Sequence, residues 1–182
     1  FLAYVDLLWA PVRERIKNDD RFILMFAPIT RSYAMPFARK TSAGKGKTAQ
    51  WKRNKLVFPS TPQGNLELFR KWRKAFHGEQ VDFDYHLWRA WVPDFSQMQI
   101  SKVLFDDIKS LKDMNMDGFI SCQAQRVSFP TALPLYVMGE TLWNRKSDFN
   151  SMRKKYFSML YGRGSDDVLR YLKELAENVN PV

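Results

Sequence analysis

A chain of 182 residues is long enough to bury a core. Hydrophobic residues make up 45% of it and aromatic residues 15%, which excludes a wholly disordered protein. The net charge is +10, but Arg39, Lys40, Lys45, Lys47, Lys52, Arg53 and Lys55 supply seven charges from one acid-free stretch, so the rest of the chain is close to balanced. A basic balance raises nucleic acid as a partner. Confinement of the excess to one loop makes a solvated surface the better reading, and nucleic acid the disfavoured partner. The single cysteine, Cys122, excludes an internal disulfide and any cysteine-cluster zinc site. No other metal site and no cofactor is expected. The longest apolar run, Phe22 to Ile29, is too short to span a bilayer, so no membrane partner is expected.

The first expected element is a strand at Phe1 to Tyr4. It begins without preceding residues to pair with, which suggests a fragment or excised domain. A second strand, Arg21 to Pro28, is apolar almost throughout, as suits a parallel strand covered on both faces. A long loop follows to Gly64, with its basic insertion at 39–64. Loops of this length inside a domain usually carry function or lack order. Leu66, Phe69, Trp72 and Phe76 share one helical face, so a helix is expected over Asn65 to Phe76, with Asn65 as cap and Gly78 beyond its end.

Val81 to His86 reads as a third strand. Ile100, Val103, Leu104, Ile108 and Leu111 form the buried stripe of a helix over Met98 to Met114. Gly118 to Cys122 is the fourth strand. Three closing helices are expected over Leu133 to Trp143, Asp148 to Tyr161 and Ser165 to Asn178. Asp148 and Ser165 suit N-caps, and Gly162 suits a stop.

Strand, polar corner and helix repeat along the chain, which is the grammar of a parallel α/β fold. Ligands of such folds sit at the carboxyl ends of the strands. That rule selects Arg31, Tyr33, Asp84, Tyr85, His86, Trp88, Gln123 and Arg126. Alternation puts Asp82, Asp84 and His86 on one side of the third strand and Phe83, Tyr85 and Leu87 on the other. In a barrel the inward side near the carboxyl end faces the active site. A carboxylate there can act as acid, base or nucleophile, or grip a sugar hydroxyl, and His86 can assist. Arg31 offers a planar fork for carboxylates and Tyr33 a flat face with a hydroxyl tip. Trp51, Trp88 and Trp91 have flat faces suited to stacking on sugars or bases. Trp72 and Trp143 lie in helical stripes and read as core. Cys122 reads as buried and inert.

The stretch SAGKGKT, Ser42 to Thr48, imitates a phosphate-binding loop. The motif needs glycine at position 41, which is Thr41. No glycine-rich nucleotide turn follows any strand.

The ordered blocks FLAYVDLLWAP, DRFILMFAPITRSY, FDYHLW, MDGFISCQAQRVSFPTALPLYVMGETLWN and YFSMLYG resemble a bacterial domain of unknown function, number four-eight-three-eight, of polysaccharide degraders. That family is similar to the later half of a family-20 hexosaminidase or α-glucuronidase barrel. The resemblance implies strands five to eight of a (β/α)8 TIM-type barrel with additional C-terminal helices, spanning 1–182 as one part of a domain. It implies carbohydrate as ligand, the N-terminal half of the same barrel as partner, and an extracellular or periplasmic setting. Glycoside hydrolysis is the implied reaction, with Asp84 and His86 as catalytic candidates. The substrate-binding set is Arg31, Tyr33, Tyr85, Trp88, Gln123 and Arg126. Relatives carry an acid near the end of the last strand, where this chain has Cys122 and Gln123. A non-catalytic carbohydrate-binding barrel is therefore the alternative. Nucleic-acid binding through the basic loop is a second alternative.

Overall fold

The computed structural model describes residues 1–38, 51–88, 94–123 and 128–178. Two compact units divide the chain, Phe1–Tyr85 with Ser110–Ser121, and His86–Lys109 with Cys122–Val182.

The first unit is built on a parallel sheet. Its strands are β1 (Leu2–Ala3), β2 (Ile23–Phe26), β3 (Glu79–Leu87) and β4 (Gly118–Gln123), in the order β1-β2-β3-β4. Leu2 pairs with Met25 and Ala3 with Phe26; Met25 pairs with Val81 and Phe26 with Asp82. Neighbours in register share a face of a parallel sheet. One face therefore carries Ala3, Phe26 and Asp82, and the other carries Leu2, Met25 and Val81.

Helix α1 (Pro62–Ala75) covers the first of these faces. Phe69 meets Phe26 at 5.2 Å between ring centroids, and the Phe1 ring packs on Trp72 and Phe76. The helix starts three residues before the expected Asn65. Thr61 is its cap, accepting from Gly64 N–H at 3.1 Å, and Pro62 fills the first turn, where its missing N–H costs nothing. Asn65 is buried inside the helix and donates back to the carbonyls of Pro59 and Thr61 at 2.9 and 3.0 Å. It fastens the incoming loop rather than capping the helix.

The face opposite α1 is apolar and open. Leu2, Ile23 and Ile120 are exposed, and Met25, Val81 and Phe83 are half-buried. A Cβ on Gly118 would lie 3.0 Å from Val81 Cγ1, which puts Ile120, two residues on, on this same face. The acids of the third strand share one side, as alternation predicts. The acids of β3 in this unit, Asp82 and Asp84, lie on the α1 side, and the open side is hydrocarbon.

In the second unit, α2 (Met98–Ser110) is set up by Asp94. Its carboxylate accepts from Ile100 N–H and Ser96 Oγ, both at 2.8 Å, and Ser96 Oγ accepts from Met98 N–H at 3.1 Å. Helices α3 (Leu133–Trp143), α4 (Phe149–Tyr161) and α5 (Ser165–Asn178) follow. Phe105, Leu133, Val137, Phe149, Met152 and Phe157 form the core of this unit. Asp148 caps α4 through Ser151 N–H at 2.8 Å, and Gly162 ends it with φ 52°. Trp143 is 92% exposed, so it is not the core residue its stripe suggested. It is the last residue of α3, where the stripe runs off the end of the helix. No helix among the described residues is long and apolar enough to cross a membrane.

Candidate functional site

Two sequence segments meet at the carboxyl ends of β2 and β3. After Phe26 the chain turns, with Ile29 N–H to Ala27 O at 2.9 Å and Arg31 N–H to Pro28 O at 3.1 Å. The turn brings Arg31 and Tyr33 back onto the neighbouring strand, where Asp84 stands two residues beyond Asp82. Arg31 Nη1 lies 3.1 Å from Asp84 Oδ2, and neither side chain is exposed to solvent. The Tyr33 hydroxyl donates to Asp84 Oδ1. The N–H of Tyr85 is shared between Asp84 Oδ1 at 2.8 Å and Tyr33 Oη at 3.1 Å. The Arg31 guanidinium lies over two rings, at 4.6 Å from Tyr33 and 3.8 Å from the buried Phe37.

Each part of this cluster offsets a cost created by another. A buried carboxylate is expensive unless it is paired and hydrogen-bonded. Asp84 has a cation, a phenol and a backbone N–H. Removing one partner of a buried pair costs about 3–5 kcal/mol, because a charge is left behind. Burial first, and then the Asp84 carboxylate, hold the Tyr33 phenol well above its ordinary pKa, against the opposing pull of Arg31. The phenol therefore stays protonated and donates to Asp84 across the physiological range.

Such an arrangement fixes directions more than it moves protons. Asp84 has no exposed surface, and its oxygens face Arg31, Tyr33 and the strand backbone. It sets the planes of Arg31 and Tyr33. Tyr33 is half-buried and is the most accessible member.

In the second unit, His86 Nε2 lies 2.8 Å from Asp107 Oδ2, with both side chains fully buried. A carboxylate on one ring nitrogen fixes the tautomer and orientation of an imidazole. Asp107 belongs to α2 and was not among the sequence candidates. The signal was present, since Val103 and Asp107 are one helical turn apart and the stripe of Ile100, Val103, Leu104 and Ile108 runs through it.

The remaining candidates divide clearly. Tyr85 is buried. Trp88 follows the last residue of β3 and is 40% exposed. Gln123 is the last residue of β4 and is exposed. Cys122 is a half-buried free thiol rather than a buried one. Arg126, Trp91 and the SAGKGKT stretch lie outside the described residues. Phe37, which seals Arg31, had no mark in the sequence beyond its hydrophobicity.

The fold is a parallel α/β one, with a charged, aromatic-rich side-chain cluster at the carboxyl ends of β2 and β3. No family model, no curated protein and no solved structure matches the chain.

Proposed function

We propose that this chain is the later half of a glycoside-hydrolase-like (β/α)8 barrel, strands five to eight with closing helices, acting on a poly- or oligosaccharide. The observation that carries the reading is the convergence of Arg31, Tyr33 and Asp84 at the carboxyl ends of two adjacent parallel strands. That end is where barrel enzymes hold their ligands.

The sheet supports the barrel. Its strands follow one another in sequential order, and right-handed crossovers in such an order put their connections on one face. An open sheet built this way would leave the other face bare. Closure with further strands covers it, and the bare face here is apolar. The N-terminal half of the barrel is the proposed partner.

In this reading Asp84 is a positioning residue that aims Arg31 and Tyr33 at sugar hydroxyls. Tyr85, Trp88, Gln123 and Arg126 complete the substrate-binding set, and His86 stands braced by Asp107. Hydrolysis proceeds through a pair of carboxyl groups flanking an oxocarbenium-like transition state. The test is reducing-sugar release by the parent protein on a broad glycan panel, with Asp84→Asn in parallel. We expect release to fall by about a hundredfold or more in the variant. Unchanged release would remove Asp84 from the site.

The second reading is a carbohydrate-binding barrel without turnover. It is favoured by the strand end Cys122-Gln123, which has no acid, and by the complete burial of Asp84. It predicts glycan binding by the parent protein with no release from any substrate.

A further inference from the structure

A second feature lies at the same end of the first unit. Directly after β1, Asp6 occupies a short helical turn, Val5–Leu8. Across from it stands the segment that precedes α1. This segment is pinned over the strand ends at several points. Phe58 packs on Trp9 at 5.5 Å between ring centroids. Thr30 Oγ1 donates to Pro59 O at 2.8 Å, and Ser32 N–H to Ser60 O at 2.6 Å. Between the segment and Asp6 is a cavity of about 510 Å³, lined by Asp6, Trp51, Arg53, Asn54 and Leu56. Small-molecule sites commonly have volumes of about 300–1,000 Å³.

We propose that Trp51, Asp6, Arg53 and Asn54 form a subsite for one pyranose unit of a neutral glycan, which rests on the carbohydrate reading above. The composition carries the assignment. Trp51 is 55% exposed and lines the cavity, so an indole face is open to a ligand there. One face of a pyranose ring is a sheet of C–H bonds, apolar and faintly positive. It complements the electron-rich face of an indole. The ring's edge carries hydroxyls, each both donor and acceptor. Asp6 accepts from them, Arg53 donates to them, and the Asn54 amide does both.

The backbone presents these groups outward. Lys55 N–H bonds to Lys52 O at 2.8 Å, closing a tight turn with Arg53 and Asn54 at its tip. Asn54 has φ 61°, a left-handed conformation that asparagine tolerates better than most residues. The lining pairs one acid with one base, and Lys52 and Lys55 flank it in sequence. The Asp6 carboxylate inside the lining repels a carboxylate or phosphate seated there, which is why the inference is a neutral sugar rather than a nucleotide or a uronic acid.

The experiment is isothermal titration calorimetry of the parent protein. The probes are tetrasaccharides of glucose, xylose, mannose, galactose and N-acetylglucosamine, with tetragalacturonic acid and adenosine diphosphate as charged comparators. Trp51→Ala, Trp51→Phe and Asp6→Ala are titrated beside the wild type, with far-ultraviolet circular dichroism checking each fold. We expect one or more neutral tetrasaccharides to bind. Affinity should fall about tenfold in Trp51→Ala, as for other losses of an aromatic stacking platform, with partial recovery in Trp51→Phe. Asp6→Ala should weaken the same sugars. Sugar binding that is equal in wild type and Trp51→Ala would overturn the subsite and leave the carbohydrate reading standing. Binding of the charged comparators alone would overturn the neutral-sugar assignment. Absence of glycan binding in the wild type would overturn the subsite and count against the carbohydrate reading as well.

Discussion

Tyr33 shows how far a single side chain can be read from its surroundings. Its hydroxyl accepts the Tyr85 N–H and donates to Asp84, and its ring lies under the Arg31 guanidinium. The raised pKa makes folding stability depend on alkaline pH. The unfolded phenol ionises near pH 10, and the folded one holds its proton to higher pH. Above pH 10 the folded state therefore binds more protons than the unfolded state, and stability falls as pH rises. Below pH 10 the contribution is fully present. Urea midpoints at pH 9 and pH 11 should drop more for the wild type than for Tyr33→Phe, which has no phenol to titrate there. Equal drops would mean that Tyr33 titrates as it does in the unfolded chain. Arg31, Tyr33 and Asp84 were all legible as strand-end residues. Their mutual contact was not, because nothing in a sequence says which of two strand ends a loop folds back on.

At the scale of elements, the sequence was most readable in the three closing helices, whose starts and stops Pro134, Asp148 and Gly162 mark. Helices α3, α4 and α5 occupy the expected residues to within one position. The boundaries that moved did so for identifiable reasons. Helix α1 begins at Pro62 because a threonine cap followed by proline outweighs an asparagine cap four residues later. Strand β3 begins at Glu79, earlier than its apolar run, because Glu79 and Gln80 pair with Ile23 and Leu24 of β2 and Gln80 is held at both its backbone and its side chain. Asp117 Oδ2 accepts its N–H at 2.9 Å, and Phe76 O accepts from its side chain at 3.2 Å. Helix α2 stops at Ser110, and the chain then turns through Asn115 at φ 58°.

Gly78, expected only as punctuation after α1, has a stricter role. A Cβ there would collide with the carbonyl oxygen of Asp19, and would lie 2.5 Å from Phe76 Cζ and 3.0 Å from Phe22 O. The chain between α1 and β3 passes against the turn that leads into β2, and His77 N–H bonds to Asp19 Oδ2 at 2.9 Å in the same crossing. Two of the three obstacles are backbone atoms, which cannot rotate away. Gly78→Ala should therefore destabilise the protein by about 1–3 kcal/mol, the usual cost of overpacking. Equilibrium urea unfolding measures it. A change smaller than about 0.5 kcal/mol, the range of ordinary surface substitutions, would mean that this crossing relaxes freely.

At the scale of the molecule, the unanswered physical demand is the open face of the sheet. Strands in a sheet lie about 4.8 Å apart, so residues in register form continuous strips. Leu2, Met25 and Val81 are one such strip, and Ile23, Phe83 and Ile120 widen it. Other exposed apolar residues, such as Trp143 and Met159, lie on separate helices of the second unit. Apolar residues exposed singly are ordinary, while a contiguous patch marks a surface that another structure covers. The periodicity of β2 carried this message only in part. A strand apolar on both sides reads as buried on both sides, and nothing in β2 itself says what covers the second side. The chain by itself should therefore bind an apolar dye such as anilinonaphthalene sulfonate. Ile23→Lys with Ile120→Lys should reduce that fluorescence substantially and lower any self-association in sedimentation velocity. Trp143→Lys with Met159→Lys should change neither by a comparable amount. If the helix pair removed the signal and the strand pair did not, the adhesive surface would belong to the helices. The open sheet face would then give no support to the proposed closure by further strands.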